Sequence, residues 1–300
     1  MNILKIGVCD VDGHNFPNLP LMKLAAYHKR RGDDVGWWMP LEQYDVVYKS
    51  KVFTFTPDIE YSPMADLVVE GGTGYGSTAV LPDEIEHITP DYSMYPQHKE
   101  AYGFLTRGCP RACPFCIVAD KEGRASRKVA DLNEFWSGQR EIKLLDPNLL
   151  ACADHETLLM QLIDSGAWVD FTQGLDIRLV TKENTELLTR VKVKNIHFAW
   201  DNPKQDLTAD FQRFKTLSGI DKRKLGVYVL TNFDSTLDED LHRVYTLRDL
   251  GYSPYVMVFD KEHAPKEILR LQSWVNNRIA FNVCAKYEDF DRNAHRRKGQ

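Results

Sequence analysis

The chain has 300 residues, 43% of them hydrophobic and 27% charged, with a formal net charge of -5. That is enough apolar material for one large or two modest domains. The negative balance excludes a protein built chiefly to neutralise phosphates along a duplex, and no apolar run is long enough to cross a bilayer.

The N-terminal stretch from Met1 to Val8 runs straight into a strand pattern and not a signal sequence, so the six cysteines are expected as thiols in a reducing, cytoplasmic setting. Ile3 to Cys9 reads as a buried strand, Leu21 to Arg31 as an amphipathic helix, and Gly32 as its stop. Asp45 to Tyr48 and Lys51 to Phe55 read as short strands about a turn at Ser50, and Leu67 to Glu70 as a buried strand ending in Gly71 and Gly72. This alternation predicts a small, Rossmann-like parallel α/β domain over residues 1–85, with ligands at the C-terminal strand ends. Residues 86–100, broken by Pro90 and Pro96 and carrying Tyr92 and Tyr95, are expected as a linker that packs instead of hanging free.

Tyr102 to Thr106 is the next strand, and the loop after it holds Cys109, Cys113 and Cys116, with Phe115 directly before the last of them. Three thiols spaced Cys-x3-Cys-x2-Cys can hold an iron–sulfur cluster by three corners, whereas a closed electron-transfer cluster has four. Cys9, Cys152 and Cys284 are scattered singly in apolar surroundings, where a cysteine serves as a small buried hydrophobe. The fourth corner is therefore expected to be open. Zinc held by three cysteines and a histidine is the competing reading, but zinc loops come as paired knuckles, and His98 and His155 sit in no such pair.

Glu141 to Leu145, Val169 to Thr172, Asn195 to Trp200, Leu225 to Leu230 and Pro254 to Phe259 are further strands, separated by helical stretches such as His155 to Ser165 and Thr236 to Leu250. Together with Tyr102 to Thr106 they make six βα units. Six are too few for a closed eight-stranded barrel, so residues 101–262 predict an open, partial (β/α)6 barrel. Residues 263–300 predict a helical cap, Glu267 to Ile279, and a basic tail with Arg292, His295, Arg296, Arg297 and Lys298. Working residues of barrel-like folds lie at the C-terminal strand ends, which here carry the cysteines, Asp146 and Asn148, Gln173, Asp176 and Arg178, Asp201, Asn232 and Asp234, then Lys261 and His263.

The cysteine loop resembles that of the radical S-adenosylmethionine enzymes, and the resemblance covers about residues 100 to 260. It implies a 4Fe-4S cluster on Cys109, Cys113 and Cys116, whose open iron is chelated by the amino and carboxylate groups of S-adenosyl-L-methionine. An electron from the cluster then gives a 5′-deoxyadenosyl radical that takes a hydrogen atom from the substrate. A reducing partner such as a flavodoxin or ferredoxin is implied as well. Relatives often carry Gly-Gly-Glu after the second strand, facing the methionine amino group; this chain has Leu144 to Asn148 there, with Asp146 as the candidate acceptor. Arg178 is assigned to the methionine carboxylate and Asp176 or Gln173 to the ribose. Asp201 and Asn232 are assigned to ribose or substrate. The plain alternatives are a salt bridge between Asp176 and Arg178 and a turn at Asp201, Asn202 and Pro203.

The N-terminal portion resembles the cobalamin-binding-like domain that precedes the barrel in one branch of these enzymes. Asp12-Gly13-His14-Asn15-Phe16-Pro17 stands where an Asp-x-His-x-x-Gly motif would supply the cobalt ligand. His14 is the candidate ligand and Asp12 its orienting partner, while Pro17 in the glycine position points to a degenerate domain. The domain order resembles methyltransferases and methylthiotransferases, although the second three-cysteine cluster and RNA-binding domain of the latter are not supplied by these residues. The expected activity is radical S-adenosylmethionine chemistry, methyltransferase-like in one version, on a small molecule, peptide or RNA, without membrane attachment. A non-catalytic iron–sulfur electron carrier or redox sensor is the alternative, and a zinc protein binding nucleic acid through the basic tail is a third.

Overall fold

A computed structural model of the chain describes residues 2–291. The basic cluster from Arg292 to Lys298, and with it any RNA-contacting tail, lies outside them.

The first sheet contains β1 (Lys5–Asp10), β2 (Asp34–Trp37), β3 (Gln43–Ser50) and β4 (Met64–Gly71), all parallel, in the order β2-β1-β3-β4. Helix α1 (Leu19–Arg31) begins where the Asn18 side chain accepts from the Leu21 N–H and ends at Gly32 in the left-handed region. Its apolar face packs Leu21, Met22 and Ala25 against Val8 of β1. Because β2 and β3 flank β1 on opposite sides, the ends of β1 and β3 form a topological switch point, the usual crevice of such sheets.

Two details differ from the sequence reading. β2 has no apolar run, since Asp34 and Gly36 interrupt it, and so gave no strand signal. No strand forms at residues 51–55, because the Asp12 carboxylate takes the Val52 and Phe53 N–H groups and the Thr56 hydroxyl. In the segment after the short helix α2 (Asp83–Glu86), Met94 and Tyr95 are buried in the core that α1 shares with Val8.

A six-stranded sheet follows, built from β5 (Ala101–Gly103), β8 (Glu141–Leu144), β9 (Trp168–Leu175), β10 (Val193–Ala199), β11 (Leu225–Thr231) and β12 (Ser253–Val258), in the order β12-β11-β10-β9-β8-β5. Successive strands are neighbours, so the sheet winds in one direction, the barrel-like arrangement expected of repeated βα units. Between β5 and β8 lie the two-stranded ribbon β6 (Thr106–Arg107) and β7 (Arg127–Lys128), with α3 (Val118–Glu122) in its loop. Helices α4 (His155–Ser165), α5 (Lys182–Arg190), α6 (Thr208–Ser218) and α7 (Leu237–Asp249) connect the later strands.

Thr181 with Asn184 and Thr236 with Glu239 form capping boxes at the starts of α5 and α7, each stabilising its helix by about 1 kcal/mol. One face of the strands is apolar and fully buried, as at Phe198, Val227, Val229 and Val256. The expected terminal helix is split into α8 (Lys266–Val275) and α9 (Arg278–Val283). Asn276 binds both backbone groups of Val256, and the Asn277 side chain starts the new helix by accepting from Ile279 and Ala280 N–H.

The chain divides into two compact units, Met1–Gly103 with Ala130–Ile142, and Phe104–Val129 with Lys143–Gln300. Among the described residues no helix is long and apolar enough to cross a membrane.

Candidate metal and cofactor site

In the second unit Asp146, just beyond β8, fixes where the cysteine loop begins. Its carboxylate accepts from Leu105 N at 3.2 Å, Thr106 N at 2.5 Å and the Thr106 hydroxyl at 2.7 Å. Those contacts use the backbone donors that a continuous strand would need, so the expected strand through Thr106 stops at Gly103 and restarts as β6. Burial pushes the Asp146 carboxyl up to about 6, against the pull of the Thr106 and Leu105 donors. With both oxygens engaged, Asp146 acts here as a brace of the cysteine loop.

Gly108, immediately before Cys109, has φ 86°, and a Cβ there would lie 2.2 Å from the Ala125 carbonyl oxygen, so glycine is required. Glu122 accepts from Gly108 N and from Arg107, and Cys109 N donates to the Gly123 carbonyl. A tight turn carries Cys116 N to the Cys113 carbonyl at 2.9 Å. All three thiols are partly exposed. Burial raises the Cys113 pKa, and Asp201, Cys116 and Cys109 add to it while Arg178 opposes. The loop thiols therefore share one electrostatic neighbourhood with strand-end residues that follow β9 and β10.

Among the described residues no three His, Cys, Asp or Glu side chains converge as the ligands of a single ion would. A cubane seats each thiolate on a different iron, so three separated thiols on one braced loop suit it. Asn148 supplies a second sign of a ligand. Its side-chain Nδ2 points to Cys109 Sγ at 3.6 Å, while its Oδ1 is buried without a partner, in a residue only 2% exposed. An orphaned buried carbonyl is costly unless something donates to it.

The other expected residues are distributed as follows. Asp176 is buried and accepts from Arg178 Nε at 2.6 Å and from Arg111 Nε at 2.5 Å. Burial works to raise its pKa, but the two guanidinium groups hold it below the usual carboxylate range. The plain alternative, an Asp176–Arg178 pair, is thus present, extended by Arg111 from within the cysteine loop. Arg178 also donates to Gln205, and Gln173 is exposed. Asp201 accepts from Leu230 N, and burial raises its pKa. Asn232, at φ 63°, donates to the Phe259 carbonyl and ties the ends of β11 and β12. Lys261 and His263 are exposed, with His263 paired to Asp260.

Sequence reasoning missed Arg111, Arg243 and Phe233. Arg243, on α7 and 1% exposed, donates to the carbonyls of Trp200, Asp201 and Leu230 and pairs with Asp240, locking the ends of β10 and β11. Phe115 meets Phe233 edge-on at 5.4 Å, and Phe233 meets Phe259 at 4.9 Å. A charge on the apolar side of a helix and a cation inside the cysteine loop were the available signals. Cys9 and Cys152 are buried as expected, whereas Cys284 is only partly so.

The first unit has its own strand-end group. His14 is exposed and stacks on Trp37 with ring centroids 4.0 Å apart. Asp12 does not orient it, being committed to residues 52, 53 and 56, and the Tyr95 hydroxyl occupies Asp10 at 2.6 Å. A metal-bound imidazole normally has such a partner on its other nitrogen, so this arrangement does not fit a cobalt ligand.

No family model matches the chain. It is 26% identical over 185 residues to a tRNA-2-methylthio-N(6)-dimethylallyladenosine synthase from Christiangramia forsetii, an alignment covering 51% of this chain and 35% of that protein. The chain thus spans about a third of the length of that curated relative. Its structure is similar to that of the radical S-adenosylmethionine methyltransferase TsrM from Kitasatospora setae, solved with cobalamin and a [4Fe-4S] cluster bound. The TM-score is 0.61 at 11% identity, over 84% of this chain and 74% of that one. At that identity the likeness is one of fold.

Proposed function

We propose, from the premise that this chain has the fold of the radical S-adenosylmethionine enzymes, that it holds a 4Fe-4S cluster on Cys109, Cys113 and Cys116 and cleaves S-adenosyl-L-methionine reductively to modify a substrate. The observation that carries the reading is the braced three-thiol loop beside the orphaned Asn148 amide. When bound, the cluster supplies one electron and an open iron, the chemistry from which a 5′-deoxyadenosyl radical arises.

The chain's own residues bind and orient. Asp146 and Glu122 fix the ends of the loop. Arg111 joins it to the Asp176–Arg178 pair, whose partly exposed Arg178 takes the methionine carboxylate. Asn148 Oδ1 takes an N–H donor next to Cys109, the part expected of Asp146. Asp201 and Asn232 border the same strand ends and face ribose or substrate. A one-electron donor such as a flavodoxin or ferredoxin serves the cluster, in the cytoplasm. His14, without an orienting partner, is given no role as a cobalt ligand, and no step is routed through cobalamin.

The test is spectroscopic. After anaerobic reconstitution and reduction, adding S-adenosylmethionine is expected to change the cluster's electron paramagnetic resonance spectrum. An unchanged spectrum on a loaded cluster would favour an electron carrier or sensor instead.

A further inference from the structure

The six-stranded sheet has a second face, turned away from the helices, and its residues are unlike those of a packing surface. On β10 the odd position His197 lies on this face, while Ile196 and Phe198 on the other face are fully buried. The parallel register sets Gly226 of β11 beside His197 and Tyr228 of β11 directly beside Tyr255 of β12. His197 stacks on Tyr228 at 5.0 Å with ring planes 9° apart, and Tyr228 meets Tyr255 edge-on at 6.0 Å. Three adjacent strands therefore carry a continuous row of rings. Its far end is open: Tyr255 is 49% exposed and Met257, two residues on, is 46% exposed.

Two observations say what such a row receives. The first is that His197 is held in one orientation from behind. Its Nδ1 lies 3.3 Å from the Phe171 carbonyl and 3.9 Å from Asp170 Oδ1, so the neutral ring carries its proton on Nδ1 and presents a lone pair at Nε2. Nε2 makes no hydrogen bond among the described residues, and it sits over Gly226, where a Cβ would come within 3.1 Å of it and 2.7 Å of the adjoining ring carbon. Asp170 is buried, its Oδ2 accepts from Asn195, and its Oδ1 has no hydrogen-bond partner. That unpaired oxygen stabilises the imidazole as a donor approaches its other nitrogen. The second is that the exposed surface beside it is aromatic and thioether, a surface on which a flat ring stacks.

We infer that this sheet face is a binding site for a planar aromatic ring bearing an N–H or O–H donor, which stacks beside Tyr228 and Tyr255 and donates to His197 Nε2. The site uses no cluster and no S-adenosylmethionine, so it stands or falls separately from the proposed radical chemistry. His197 is the specificity-determining acceptor, Asp170 and the Phe171 carbonyl position it, and the tyrosines supply the floor.

The experiment measures binding of two matched probe pairs to the full chain by ligand-observed NMR titration: phenol against anisole, and indole against 1-methylindole. Within each pair the methyl group removes the donor and keeps the ring. The expected result is about tenfold weaker binding of each methylated member, the value of one hydrogen bond. In His197→Leu the two members should bind equally. In Tyr255→Ala both members should weaken together with their ratio preserved. Gly226→Ala, which pushes a methyl group into the imidazole, serves as a second variant and should also remove the preference. No preference in the wild type, or a preference that survives in both His197→Leu and Gly226→Ala, would overturn the assignment.

Discussion

The two compact units are built on the same plan, parallel strands with polar residues at their C-terminal ends, and the group after β1 differs from the group around the cysteine loop. In the first unit the carboxylates at the end of β1 are committed within the chain: Asp10 holds the Tyr95 hydroxyl and Asp12 holds three donors of the following segment, while His14 stacks on Trp37. In the second, three thiols stand partly exposed, and Asn148 Oδ1, just beyond β8, is buried without a partner. A strand end saturated by its own chain is a structural joint, whereas one left short of donors and ligands at an energetic cost is a place for a ligand.

The largest expected effect that sharpens this contrast is on Asp146. Asp146→Ala leaves three buried donors of Leu105 and Thr106 without an acceptor, which should destabilise the fold by about 4 kcal/mol near pH 4. The folded pKa of about 6 lies above the ordinary 3.8, so the protonated group favours folding. Its contribution is full below the ordinary value and is lost as pH rises through 6. Denaturant titrations of wild type and variant should therefore show the difference narrowing to about 2 kcal/mol by neutral pH. A difference that widens with pH would reverse the sign assigned here.

Next comes Gly108→Ala. The left-handed backbone and the approach to the Ala125 carbonyl together should cost about 3 kcal/mol, and the displaced Cys109 should lower iron and sulfide content after reconstitution. Full iron content in that variant would show that the loop does not need this geometry.

The smallest effect belongs to the saturated unit. His14→Ala loses a ring stack worth about 1 kcal/mol, with iron content unchanged. Incubation with hydroxocobalamin should leave equal corrinoid on wild type and variant. Corrinoid retained by the wild type alone would break the comparison and restore His14 as a ligand.

Much of this fold was legible because its signals are local. The apolar runs at Leu225 to Leu230 and Asn195 to Trp200 are strands nearly as read, and α4 matches its expected bounds, His155–Ser165. The cysteine spacing is likewise local. What escaped was set by side chains reaching across the sequence. Asp146 breaks a strand forty residues away, and Asn276 halts a helix by pairing with Val256. The pairing of Arg111 with Asp176 joins a loop to a strand end sixty-five residues on. No periodicity encodes such contacts. The ring row of His197, Tyr228 and Tyr255 escaped for the same reason, since it exists only in the register of three strands.

The most direct test of the central claim is chromatography for 5′-deoxyadenosine after anaerobic reconstitution with iron and sulfide and reduction by dithionite in the presence of S-adenosylmethionine. The account predicts 5′-deoxyadenosine from the wild type and none from the Cys109→Ala, Cys113→Ala, Cys116→Ala triple variant. A fully loaded, reduced cluster that leaves S-adenosylmethionine intact would contradict it.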